Sequence, residues 1–115
     1  MEREIPPFPD PATIGRVLRC QPETGSSPDV FDYRLRNEHL GISMRLTVDY
    51  ARRAAMLYLR GSNAFLGFVH LPGIEQVALD ESKGEVTFLA EGALTSQLSV
   101  QSVGVFVVTR QFGHP

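Results

Sequence analysis

Nine consecutive residues, from Ile42 to Tyr50, alternate strictly between apolar and polar side chains, and this pattern constrains the fold more than any other feature. Successive side chains of a β-strand point to opposite faces of the sheet, so a period of two places all the apolar side chains on one face. A shorter alternation over residues 31–36 has the same period. Both segments are therefore predicted to be strands with one buried and one solvent-facing side.

Further strand-like segments follow at short spacing along the rest of the chain. They lie at residues 14–20, 65–71, 74–79, 85–91, 93–101 and 103–108. About eight short strands separated by turn-forming residues are typical of a mainly β fold, an antiparallel β-sandwich or barrel. Because 115 residues suffice for one hydrophobic core, we expect a single domain over residues 1–115.

Residues 50–60 allow two structures. Asp49 could cap a helix that ends at Gly61, which gives the alternative α+β fold, a bent antiparallel sheet with one helix near residues 50–60. Such a helix would begin on the last residue of a strand and leave no connecting loop. We therefore favour a hairpin with a strand at residues 55–60, although the segment lacks the Gly, Pro or Asn typical of a hairpin turn.

Three segments are predicted to lie outside regular structure. Four prolines among residues 5–11 remove backbone donors, which favours an extended, proline-rich arm over residues 1–12. Gly, Ser and Pro residues indicate a mobile loop at residues 21–29, and residues 111–115 form a loose tail.

Charge and composition exclude several classes of protein. The net charge of −2 lacks the basic excess of a nucleic-acid-binding domain. No apolar run is long enough to span a membrane, and the N-terminus lacks the apolar segment of a signal peptide. A single cysteine cannot form an internal disulfide. We therefore expect a cytoplasmic protein with no membrane partner.

No motif for catalysis or for cofactor binding is present. His39, His70 and His114 do not share a metal-ligand spacing, and no phosphate-binding glycine loop occurs. Cys20 is the only thiol that could act as a nucleophile, but a lone cysteine is usually a small buried hydrophobe. We therefore predict no catalytic residue, no metal and no cofactor, and enzymatic activity is not favoured.

Arginine and tyrosine are concentrated in residues 33–60. This segment holds six of the ten arginines and all three tyrosines, and Glu38 and Asp49 are the only acids between residues 34 and 60. Both residue types are over-represented at the energetic centres of protein interfaces. The predicted partner-binding residues are Arg34, Arg36, Arg45, Arg52, Arg53 and Tyr50.

Three functions are compatible with these features. The favoured one is a non-catalytic interaction module that binds another protein, or itself as a homodimer, through an Arg/Tyr-rich sheet face. The second is a small β-barrel that binds single-stranded nucleic acid on the same face, and it is less favoured because the chain is not basic. The third is a ligand-binding or small enzyme domain with a cavity between its sheets, where Tyr58 and His70 would supply polar groups.

Overall fold

The computed structural model describes residues 8–91 and 94–112, which form one short helix and nine strands. The helix is α1 (Pro11–Leu18). The strands are β1 (Glu23–Thr24), β2 (Val30–Asn37), β3 (Ile42–Asp49), β4 (Ala54–Arg60), β5 (Phe65–Leu71), β6 (Gln76–Asp80), β7 (Glu85–Ala90), β8 (Leu94–Gln101) and β9 (Val105–Phe112). The prediction of a mainly β fold is thus confirmed. No helix in the described part of the chain is long and apolar enough to cross a membrane.

The strands form two antiparallel sheets in which neighbours in sequence are also neighbours in space. β1 to β5 make a five-stranded sheet and β6 to β9 a four-stranded sheet. Neither sheet closes on itself, so the fold is a two-sheet sandwich and not a barrel. The connection from β5 to β6 is the only passage of the chain from one sheet to the other among the described residues.

Alternation of side chains along the strands determines which face of each sheet is buried. In the five-stranded sheet, Tyr33, Leu46 and Leu57 occupy one register row, and all three are fully buried. Phe88 and Leu98, a register pair in the four-stranded sheet, are equally buried. These side chains belong to one apolar core to which both sheets and α1 contribute. The strand predicted from the alternation over residues 42–50 is confirmed as β3, except that Tyr50 lies in the following turn.

The hairpin favoured for residues 50–60 is also confirmed, since β4 pairs with β3 along its whole length. Its turn contains no glycine, and Arg53 takes the left-handed conformation with a φ of 51°. Two interactions stabilise this turn. The Asp49 carboxylate accepts a hydrogen bond from the Arg52 backbone, and the Arg53 side chain donates to the carbonyl of Ile74.

The strand predicted at residues 14–20 is wrong, because this segment belongs to α1. Asp10 caps the helix, because its carboxylate accepts a hydrogen bond from the Thr13 backbone N–H. Pro11 occupies the first turn, where backbone N–H groups have no acceptor within the helix, so proline loses no helical hydrogen bond. Ile14, Val17 and Leu18 have the spacing of a helix face and are buried. The hydroxyl of the buried Tyr33 donates to the Pro11 carbonyl and fastens the helix to β2.

The segments predicted to be irregular have mixed outcomes. Pro11 and Ala12 are helical rather than part of an extended arm, and residues 1–7 of that arm lie outside the described residues. The loop at residues 21–29 contains the short strand β1, and its mobility stays a prediction. In the predicted tail, Gln111 pairs with Thr95 as part of β9, whereas residues 113–115 lie outside the described residues.

The turn between β8 and β9 joins the two sheets at one corner of the sandwich. The Asn37 side chain at the end of β2 donates to the carbonyl of Gly104 at 3.2 Å. Gly104 has a φ of 79°, and a β-carbon on it would lie 2.5 Å from the Asn37 backbone nitrogen. The two sheets can approach each other closely at this corner because Gly104 has no side chain.

Replacement of Gly104 measures the contribution of this corner to stability, with Gly41 as a matched control. Gly41 also has a positive φ, of 65°, but nothing lies within 4 Å of its β-carbon position. Each alanine substitution costs about 1–2 kcal/mol for the left-handed backbone. Gly104→Ala must in addition displace β2 from the turn, which adds about 1–3 kcal/mol. Urea unfolding of both variants checks this expectation, and equal losses of stability would contradict it.

Candidate functional site

The outer face of the five-stranded sheet collects arginine and aromatic side chains in adjacent register rows. Arg34, Arg45, Tyr58 and Phe68 form one row across β2 to β5. The neighbouring rows contribute Arg36 and Arg60 on one side and His70 on the other. We call this surface the Arg/aromatic face. Its members are Arg34, Arg36, Arg45, Tyr58, Arg60, Phe65, Phe68 and His70.

A stack of planar groups runs across the centre of the Arg/aromatic face. The Arg45 guanidinium carbon lies 4.5 Å from the centroid of the Tyr58 ring. The Phe68 ring stacks against Tyr58 at 5.3 Å between centroids, and His70 lies parallel to Phe68 at 6.5 Å. Because β3 and β5 flank β4 on opposite sides, Arg45 and Phe68 cover the two faces of the Tyr58 ring. The stacking contacts preorganise these side chains in the unbound protein.

The four arginines of the face differ in their electrostatic partners. Arg34 donates to Glu23 at 2.9 Å, and this hydrogen bond raises the pKa of the guanidinium further. Arg36 lies 3.5 Å from Glu38. Arg45 and Arg60 form no ion pair with a carboxylate among the residues that the structure describes. Two cationic side chains are thus available to an acidic partner.

The arginine side chains border an open trough on this face. Its volume is about 440 Å³. The side chains that line it include Arg34, Arg36, Ser43, Arg45, Tyr58, Arg60 and Phe65. Phe65 and Phe68 are 66% and 51% exposed, which is unusual for large apolar side chains. The trough therefore combines cationic walls with an exposed apolar margin.

The structure divides the six predicted partner-binding residues into two groups. Arg34, Arg36 and Arg45 lie together on the Arg/aromatic face. Arg52, Arg53 and Tyr50 belong instead to the β3–β4 turn.

The group in the turn combines structural contacts with one exposed side chain, and its role in partner binding stays a prediction. Arg53 donates to the carbonyls of Ile74 and Glu75 and lies over the Phe8 ring, so it holds the turn against the start of β6. Arg52 is exposed beside it. Arg52 and Arg53 are adjacent in sequence, but the Arg52 side chain is exposed and the Arg53 side chain is bound to the segment that precedes β6.

Tyr50 is half-buried in the β3–β4 turn and packs against the apolar core. The Tyr33 proton is donated to the Pro11 carbonyl, so the Tyr50 hydroxyl donates to the Tyr33 oxygen, at 2.8 Å. Its ring packs on Phe8 and Phe31 at 5.1 and 5.7 Å between centroids. Burial raises the pKa of Tyr50 to about 12 and also raises the pKa of Tyr33. This hydroxyl pair joins β2, α1 and the β3–β4 turn.

Phe65, Phe68 and His70 are members of the face that the sequence reasoning missed. All three lie in the strand predicted at residues 65–71, and the sequence analysis places His70 in a cavity between the sheets. Gly61, Ser62 and Asn63 form the turn that pairs β5 with β4, and the register of this hairpin brings Phe68 beside Tyr58. The residues of the turn could be identified from the sequence, but the register between β4 and β5 could not.

Cys20, Tyr58 and His70 are the other residues to which the sequence analysis assigned possible chemistry or ligand binding. Burial raises the pKa of the Cys20 thiol, which keeps it protonated and weakly nucleophilic. Tyr58 and His70 lie on the outer face, away from the space between the sheets that they were expected to line. Within residues 8–91 and 94–112, no group of three His, Cys, Asp or Glu residues could hold a metal ion.

Comparison with known proteins gives no relative, because no family model, curated protein or solved structure matches the chain.

Alkaline titration tests the structural role of Tyr50. An unfolded tyrosine ionises near pH 10, whereas the pKa of Tyr50 is about 12 in the folded protein. Below pH 10 the Tyr50 hydroxyl is protonated in both the folded and the unfolded protein. Above pH 10 it loses its proton first in the unfolded chain, so the free energy of unfolding falls between about pH 10 and pH 12.

Tyr50→Phe is expected to make this fall shallower and to cost about 1 kcal/mol at neutral pH through the lost hydrogen bond. Tyr58→Phe, on the outer face, serves as the control for the loss of a tyrosine hydroxyl outside the Tyr33–Tyr50 pair. Denaturant unfolding at a series of pH values checks both variants. An unchanged slope in Tyr50→Phe would contradict the buried hydroxyl pair.

Proposed function

We propose that this protein is a non-catalytic interaction module whose Arg/aromatic face binds an acidic surface of another protein. The observation that carries the proposal is the position of Arg45 and Arg60, which lack carboxylate partners among the described residues and border the exposed rings of Phe65 and Phe68. Cationic and aromatic side chains in one patch are the composition of interface hot spots.

The energetics of the face suit a protein partner. Full burial of one exposed phenyl ring contributes about 1.5–3 kcal/mol, so Phe65 and Phe68 could supply most of the apolar energy of a small interface. Their positions on a paired strand limit the entropy lost on binding. The arginines then contribute orientation and association rate more than affinity.

Single-stranded nucleic acid is a weaker candidate for the same face. Base stacking needs accessible rings, and the face offers Phe65 and Phe68, whereas the Tyr58 ring is already stacked with Arg45 and Phe68. Two of the four arginines are already paired with glutamates, so few cations remain to neutralise phosphates. These contacts favour a protein surface with a few carboxylates over a polyanion.

A ligand cavity between the sheets has less support. Leu46, Leu57, Phe88 and Leu98 are fully buried in the core between the sheets. The trough on the outer face is open to solvent, and its lining places no histidine or carboxylate beside the hydroxyls of Ser43 and Tyr58. The cytoplasmic location remains a prediction from the sequence.

Charge reversal on the face tests the proposal against a matched control. Arg45→Glu combined with Arg60→Glu is expected to weaken the complex at least tenfold, because it removes both unpaired cations and repels acidic groups. Arg52→Glu combined with Lys83→Glu makes the same change in charge on exposed turns away from the face and should leave binding intact. Native purification of the three proteins, with mass spectrometry of the companion and titration of the purified pair, gives the measurement.

Other outcomes of this experiment are equally informative. A stoichiometric protein that both double variants retain would show that the Arg/aromatic face is not the binding site. A companion that absorbs at 260 nm and is removed by nuclease would make nucleic acid the partner.

A further inference from the structure

The four edges of the two sheets differ sharply in how well they are protected from pairing with another strand. β1 has only two residues, and β6 has five and ends at the charged Asp80. β5 has a shift of register opposite Leu59 and Arg60, which interrupts its edge. β9 pairs with β8 through eight residues with no shift. Short strands, charges and bulges are the usual protections of an edge, and β9 has none of them before Arg110.

Three of the exposed side chains of β9 are valines, whereas Thr109, Arg110 and Gln111 towards the end of the strand are exposed and polar. Val105, Val107 and Val108 are 42%, 56% and 37% exposed. The patch continues into the preceding turn, where Val103 and the neighbouring Leu40 line an open cavity of about 630 Å³. A regular, apolar and uncharged edge strand is a template for another strand.

We propose that β9 pairs antiparallel with β9 of a second copy of this chain, about a two-fold axis through Val107. Val107 then lies opposite itself, Val105 opposite Thr109, and Arg110 opposite Gly104. The two four-stranded sheets become one eight-stranded sheet. Interfaces of this two-fold type require a surface that is complementary to itself.

Charge complementarity between the two ends of β9 identifies the second copy as the occupant. Arg110 stands near one end of the strand and is exposed. At the other end, Gly104 contacts Asn37, and the next residue is Glu38, whose side chain is 85% exposed. Antiparallel pairing brings opposite ends together, so Arg110 of each copy approaches Glu38 of the other. Two equivalent ion pairs follow from the symmetry, while the strand between them is uncharged.

This interface lies on a different sheet edge from the Arg/aromatic face, although it touches that face through Glu38, which lies 3.5 Å from Arg36 of the same copy. The paired edge belongs to the four-stranded sheet, and the face covers the outer side of the other sheet. Arg110 does contact β5, through a hydrogen bond of 3.4 Å to the His70 carbonyl, and that bond is shared or released in the dimer. The pairing of β9 does not use Arg45 or Arg60, so its test is distinct from the test of the proposed partner protein.

A disulfide placed on the axis tests both the dimer and its register. In a Cys20→Ala background, Val107→Cys is expected to form a disulfide-linked dimer under mild oxidation. Residues directly opposite each other in antiparallel strands are about 4.5–5.5 Å apart at Cα, within the range of a disulfide. Thr109→Cys is the control on the same strand and the same face. Its counterpart is four residues away, about 13 Å, and should not link.

Light scattering coupled to size-exclusion chromatography completes the test. The wild-type chain should run as a dimer at micromolar concentration, and Val107→Lys as a monomer. Arg110→Glu should weaken the dimer about tenfold, and the swap Glu38→Arg with Arg110→Glu should restore it. A monomeric wild-type chain would overturn the proposal. Equal linking of both cysteine variants, or a monomer that binds a foreign strand along β9, would also overturn it.

Discussion

The two-residue period of β2, β3 and β4 is the constraint on which the rest of the structure depends. Tyr33, Leu46 and Leu57 share a buried row only if each strand keeps its register with the next. A slip by one residue would bring Arg45 into the core and expose Leu46, so a strong energetic penalty fixes the pairing. The same penalty also fixes the arrangement of the outer face. The register that aligns the buried apolar side chains on one side of the sheet also aligns the arginines on the other side.

The parts of the fold that the sequence predicted are those governed by local periodicity. β3 and the hairpin that follows it depend on alternation and on the lack of room for a helix after Asp49. The helix at Pro11–Leu18 was missed because clustered prolines suggested an extended chain, whereas the first turn of a helix tolerates proline. Ile14, Val17 and Leu18 carried the helical spacing, but the segment is too short for that spacing to outweigh a strand-like composition.

The candidate site could be predicted only in part, because closeness in sequence differs from closeness on a sheet. Arg34, Arg36 and Arg45 have the same parity in paired strands and so share a face. Arg53 is eight residues from Arg45, yet it lies in a turn where its side chain is bound to the carbonyl of Ile74. Phe68 joins Arg45 through two strand pairings that no local pattern reveals. Prediction of the site therefore requires the register of β2 to β5, which depends on the whole sheet.

The strand order has a consequence for how the chain folds. Within each sheet, every strand pairs with its neighbours in sequence, so each hairpin can close over a short loop without waiting for distant segments. Loop closure of this kind loses little entropy, and chains dominated by local pairing fold faster than sandwiches whose strands cross between sheets. Contacts between the two sheets are the ones that require distant segments to meet, and the chain passes from one meander to the other between Leu71 and Gln76.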